Sequence, residues 1–231
     1  MEILSNQYIL LALTFAVFYM LRRLQAYTGW VLLNPILITI ILIIGYLKLT
    51  NISFETYHET GKLIDFWLKP AIVALGVPLY QQLHSIKQLW LPIFISQLTG
   101  CLVGIVSVVV TAQLLGAPKN IVISLASKSV TTPIAMEVTE SLGGIPSLTA
   151  AIVIITGIVG AIMGFKTLKV GHVSSPIARS ISMGTASHAV GASAAMGWSG
   201  KHGAYASLGI TLNGILTALF TPAILRVLGI I

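Results

Sequence analysis

A chain of 231 residues that is 56% hydrophobic and only 8% charged cannot cover a water-soluble globule, because soluble domains carry about 25% charged residues. Lipid is the expected solvent for most of its surface. The net charge of +7 is read as loop charge that orients the protein by the positive-inside rule, and not as a nucleic-acid footprint.

A membrane-spanning helix needs roughly 20 mostly apolar residues. Residues 7–20, 30–47, 91–115, 145–165 and 204–225 are expected as clear spans, and 70–83, 121–142 and 177–196 as interrupted ones. The fold class is therefore all-α, a polytopic membrane helix bundle of about seven to eight hydrophobic segments. The first six residues contain Glu2 and no basic residue. No cleavable signal peptide is expected, and the first span stays as an anchor. Arg22 and Arg23 follow it and are placed in the cytoplasm. Residues 48–69 mix Glu55, His58, Glu59, Lys62, Asp65 and Lys69, which predicts an outer loop or a short interfacial helix.

The stretch 68–83, "LKPAIVALGVPLYQQL", carries three candidate helix breaks, Pro70, Gly76 and Pro78. Pro70 is expected to open a helix. An interior proline such as Pro78 removes a backbone hydrogen bond and costs about 3 kcal/mol. His84 and Lys87 then mark a cytoplasmic turn. The span 91–115 returns outward with Gly100 and Gly104 in a G-x-x-x-G spacing that lets helices approach closely. Cys101 is the only cysteine, which excludes an internal disulfide and a cysteine-based zinc site.

The stretch 124–138, "SLASKSVTTPIAMEV", is the first strong anomaly. A charged Lys128 at mid-membrane costs at least about 2.5 kcal/mol on the lenient insertion scale. Ser127, Ser129, Thr131 and Thr132 are suited to satisfying opened backbone, and Pro133 disfavours helical geometry at Thr132. A helix broken at 128–133 and facing a cavity is expected, with a short helix over 134–141 ended by Gly143-Gly144. The basic cluster Lys166, Lys169, His172 and Arg179 lies outside if 121–142 cross completely, and inside if they dip in and return; the second arrangement is favoured.

The stretch 183–197, "MGTASHAVGASAAMG", is the second anomaly. Its small residues are poor helix formers in isolation. Gly184 and Gly191 are candidate breaks, beside Thr185, Ser187 and His188. Two interrupted segments flanking one ordinary span point to a transporter centre, with inverted repeats if they enter from opposite faces. Asn213, midway along the last span, is a candidate third contributor.

These residue types suit a bound carboxylate, and they suit a sodium ion less well because lysine repels cations. Lys128 needs a counter-charge: Glu137 across the break, Glu140 as a second choice, or an anion. A helix starting at Pro133 favours negative charge at its N-terminus. The candidate substrate-binding set is Ser127, Lys128, Ser129, Thr131, Thr132, Thr185, Ser187, His188 and Asn213. Glu137 and His188 are candidates for an ion pair or proton coupling, since His titrates near neutral pH. No metal site and no cofactor is expected. Enzyme activity is not expected either: Ser187 and His188 are adjacent, which is a poor nucleophile–base arrangement, and no H-E-x-x-H, P-loop or G-x-S-x-G occurs.

"KSVTTPIAMEV" followed by "GGIP", with "MGTASHAVG" downstream and "PAIVALGVPLY" upstream, closely resembles the LrgB/CidB family of bacterial membrane proteins. The resemblance covers essentially the whole chain, so 1–231 is expected as a single integral membrane domain. In that family a proline often precedes the Lys-Ser pair, where this chain has Ser127. The resemblance implies a multi-pass protein of the bacterial cell membrane, often encoded beside a smaller LrgA/CidA partner. It implies either a holin- or antiholin-like regulator of murein hydrolases and lysis, or a carrier of small carboxylates like the plastidial glycolate/glycerate translocator. It also implies a bile-acid-symporter-like architecture of discontinuous helices. A carboxylate substrate, the lipid bilayer, a homodimer and the small membrane partner are the expected associates, and nucleic acid is not.

Overall fold

The computed structural model describes residues 6–28, 33, 35–74, 77, 80 and 83–231. The described residues are helical and contain no strand. The helices are α1 Gln7–Thr28, α2 Pro35–Thr50, α3 Phe54–Ala74, α4 Leu83–Gln88, α5 Trp90–Leu114, α6 Lys119–Ala126, α7 Thr132–Ser141, α8 Pro146–Val170, α9 Pro176–Met196 and α10 Gly200–Val227. Four are long and apolar enough to cross a membrane: α1, α5, α8 and residues His202–Val227 of α10. The expected span at 30–47 takes shape as α2, an apolar helix of 16 residues. The chain divides into two compact units, 1–74 and 75–231.

In the first unit α1 packs on α2 and α3. Leu10, Ile43 and Leu47 form its buried centre, with Tyr46, Ile52 and Tyr57 packed around them. Asn51 turns the chain between α2 and α3 at a φ of 53°, a conformation that asparagine tolerates better than most residues. The mixed-charge stretch is not a loop but the body of α3, whose Glu59 and Lys62 pair at 2.6 Å on an exposed face. That hydrogen bond holds the Glu59 carboxyl below its ordinary range. Pro70 does not open a helix: α3 runs through it and continues to Ala74. It lies close enough to the helix end that few turns are disturbed by its missing N–H. Gly76 and Pro78 lie outside the described residues.

The second unit is built on two helix hairpins. A continuous helix puts about 30 Å between residues twenty apart, yet Ile145 N–H donates to Ser124 Oγ at 2.7 Å. The Thr149 hydroxyl donates to the Ser124 carbonyl at 2.9 Å and lies 2.9 Å from Thr139 Oγ1. Ser127 donates to the Ala135 carbonyl at 3.1 Å. A Cβ on Gly144 would stand 2.9 Å from Ile123. So α7 doubles back along α6, and 127–131 form the tip.

α9 hides a second reversal. Its backbone leaves helical geometry at Ser187 (φ −134°, ψ 18°) and His188 (φ 41°, ψ −136°). Gly191 packs so closely on the Met183 carbonyl that a Cβ there would collide with it, although eight residues of helix span about 12 Å. Met183 sits against Gly164 of α8, and Trp198 stacks on the neighbouring Phe165 with ring centroids 4.4 Å apart. The Met183 and Trp198 side chains thus reach neighbouring residues of α8, and 189–196 return along 176–186.

The hairpins enter the unit from opposite ends. The first leaves and rejoins the end where α5 stops and α8 starts. The second leaves and rejoins the end where α8 stops and α10 starts. Val109, Val122, Ile123 and Leu225 bury the first hairpin between α5 and α10, and Met183, Ala192, Ala195 and Ala206 bury the second.

Candidate functional site

The two tips meet at Asn213. Its Nδ2 group donates to the Thr185 carbonyl at 3.0 Å and to the Ser129 carbonyl at 3.4 Å. Both carbonyls stand where helix has stopped supplying amide donors, so a side chain must meet them. Asn213 is 2% exposed. The expected third contributor is therefore a tie between the breaks.

Beside the tips lies a cavity of about 370 Å³, lined by Ser96, Gln97, Gly100 and Gly104 of α5, Lys128 and Ser129 of the first tip, and Ser182 and Thr185 of α9. Lys128 Nζ donates to Ser129 Oγ at 3.1 Å. Among the described residues the only ion pair is Glu59–Lys62, so Lys128 faces the cavity with no carboxylate beside it. Glu137 is exposed on α7 and does not supply the counter-charge. Gln97 Nε2–H donates to Thr185 Oγ1 at 2.7 Å, and the Thr185 hydroxyl reaches the Ile181 carbonyl at 2.8 Å. Gly100 permits this closeness: a Cβ there would stand 3.2 Å from Thr185 Cγ2.

Of the candidate substrate-binding residues, Lys128, Ser129 and Thr185 line this cavity. The others lie elsewhere. Ser127 is buried inside the first hairpin, bonded to Ala135 and 3.3 Å from Thr139 Oγ1. Thr131 is the extended residue before α7, and Thr132 already belongs to that helix. Pro133 sits in its first turn, where a missing N–H is tolerated; this helix start does not line the cavity. Ser187 packs on Gly160. His188 is 4% exposed and bonds the Val153 carbonyl of α8 through Nε2 at 2.9 Å, with Gly157 leaving room for its ring.

Gly184 and Gly191 are not the breaks. A Cβ on Gly184 would collide with the Ala206 carbonyl, and one on Gly191 with that of Met183. They are close-approach points on either side of a reversal made by Ser187 and His188. Sequence reasoning missed Ser96, Gln97 and Ser182. A signal for Gln97 was present: Gln97, Gly100, Cys101 and Gly104 fall at i, i+3, i+4 and i+7, one face of α5.

No group of three or more His, Cys, Asp or Glu side chains placed to hold a metal occurs among the described residues. The arrangement can bind one small anion. It offers a single ammonium, several hydroxyls and one amide.

No solved structure matches the chain. The model of the LrgB-like family matches residues 14–227. The "Antiholin-like protein LrgB" of Bacillus mycoides (strain KBAB4) is 33% identical over 201 residues, 87% of each chain. The proteins of that name from Bacillus cereus (strain B4264) and Bacillus anthracis (strain CDC 684 / NRRL 3495) are each 32% identical over the same share. With a family match across both units and relatives this similar, the chain belongs to the LrgB-like family of multi-pass bacterial membrane proteins.

Proposed function

We propose that this protein is a carrier or facilitator of small carboxylates of the pyruvate, lactate, glycolate or glycerate type. The observation that carries the reading is Lys128, a cation with no carboxylate partner that faces a mostly apolar cavity of about 370 Å³, into which a few serine and threonine residues are set, beside the meeting of two hairpin tips. A lone ammonium there is costly unless an anion answers it. Its partner is the substrate carboxylate, and the Ser129 and Ser182 hydroxyls supply donors to the substrate's remaining oxygens, those of Thr185 and Ser96 being given to the Ile181 and Ile93 carbonyls. The hairpins are read as re-entrant from opposite membrane faces, the arrangement of inverted-repeat transporters. Charge supports this placement: Lys87, Lys166, Lys169 and Arg179 gather at one end of the second unit, which the positive-inside rule makes cytoplasmic.

The second reading is an antiholin-like membrane regulator acting with a small LrgA/CidA-type partner. The antiholin-like name of its relatives favours it, and those relatives lend the carrier no support of their own. Uptake of labelled pyruvate, lactate, glycolate and glycerate into proteoliposomes separates the two. Saturable uptake by wild type, lost in a folded Lys128→Ala protein, is expected of the carrier. Silence from wild type, both alone and with the small partner, sinks the carrier and leaves the regulator.

A further inference from the structure

A second, much smaller cavity of about 10 Å³ shares Gly100, Gly104 and Ser129 with the first and is lined as well by Cys101, Ala126, Asn213 and Thr217 among others. That is room for about one water-sized particle. Asn213 points to what fills it. Its Nδ2 is committed to two carbonyls, which fixes which amide atom is nitrogen. Its Oδ1 is buried and has no partner. A buried acceptor left unanswered is costly, and such a group in a native protein calls for a bound water or ion.

The surroundings choose between these. Ala126 ends α6, so the cavity receives the negative end of that helix's dipole. The Ser129 and Thr217 hydroxyls add neutral oxygens, and no carboxylate lines the space. Neutral oxygens around a one-particle hole suit a monovalent hard cation and lack the charge that divalent ions require. We infer that this cavity is a sodium-sized cation site formed by Asn213 Oδ1, Ser129 and Thr217 at the C-terminal end of α6.

Lys128, 3.1 Å from Ser129 Oγ, opposes the cation until an anion meets it. Ser129 lines both cavities, so each ion favours the other. This coupling rests on the carrier reading; the cation site itself does not.

The test is thermal unfolding of the full chain in detergent, in sodium chloride against choline chloride at equal ionic strength. Sodium is expected to raise Tm saturably, and Thr217→Val and Ser129→Ala are each expected to weaken or abolish the rise while folding in choline. Equal Tm in the two salts overturns the site and leaves a water there. An undiminished rise in both variants also overturns it. Glycolate is then added. A lower apparent sodium Kd supports the coupling; an unchanged one removes the coupling and leaves the site standing.

Discussion

Replacing His188 by glycine and, separately, by alanine isolates what the second tip demands of the backbone. At φ 41° and ψ −136° residue 188 occupies a region that L side chains enter at a cost of about 1–3 kcal/mol and that glycine enters freely. Both substitutions lose the ring and its bond to the Val153 carbonyl, so those losses cancel in the comparison. What remains is the backbone, and glycine is expected to be more stable than alanine by about 2 kcal/mol. Were α9 one continuous helix, the order would invert, with alanine ahead by about 1 kcal/mol. The sign therefore decides. For a chain of this size each kcal/mol moves Tm by about 2–4 °C, so the glycine protein is expected to melt roughly 4–8 °C above the alanine protein. Tryptophan fluorescence follows the transition, because Trp198 reports on the Phe165 stack. Equal melting, or alanine above glycine, refutes a reversal at this residue.

Gly184→Ala sets a methyl against the Ala206 carbonyl, a backbone neighbour that cannot rotate away, and is expected to destabilise by about 1–3 kcal/mol; Gly45→Ala, which meets nothing within 4 Å, is expected to match or exceed wild type when melted alongside. Ser127→Ala loses the bond to Ala135 and is expected to cost about 1 kcal/mol in thermal melts with uptake kinetics preserved. Ser129→Ala is expected to do the reverse, raising the substrate KM with little change in Tm in choline.

The first break was legible because its chemistry is local. A lysine, four hydroxyls and a proline within seven residues leave an apolar helix few ways to continue. Which hydroxyl faces the cavity was not legible. Ser127 and Ser129 are two residues apart, yet one is sealed inside the hairpin and the other opens to the cavity; the fold-back that separates them is a tertiary event. The second reversal was sought at Gly184 and Gly191, on the rule that glycine marks irregular backbone. Tight packing used both glycines instead, and the strained backbone fell to His188, whose buried bond to α8 holds it there. Gln97 was overlooked because single polar residues in a span carry little signal until their face is matched to a partner on another helix, here Thr185.

The hairpin geometry also has a consequence for how the chain is made. A translocon recognises apolar segments of about 20 residues; α6 has 8 residues and α7 has 10. Neither limb, with Lys128 between them, is a segment that could be released into lipid by its own hydrophobicity. The Ser124 carbonyl meets the Thr149 hydroxyl only when α8 is present, and the Ser129 carbonyl finds its partner only when Asn213 of α10 is present. Each tip must therefore wait in a wet or shielded place at the membrane surface until helices synthesised later enclose it. Biogenesis of this protein is thus expected to run out of sequence order, with the polar centre sealed last, after α10 has left the ribosome.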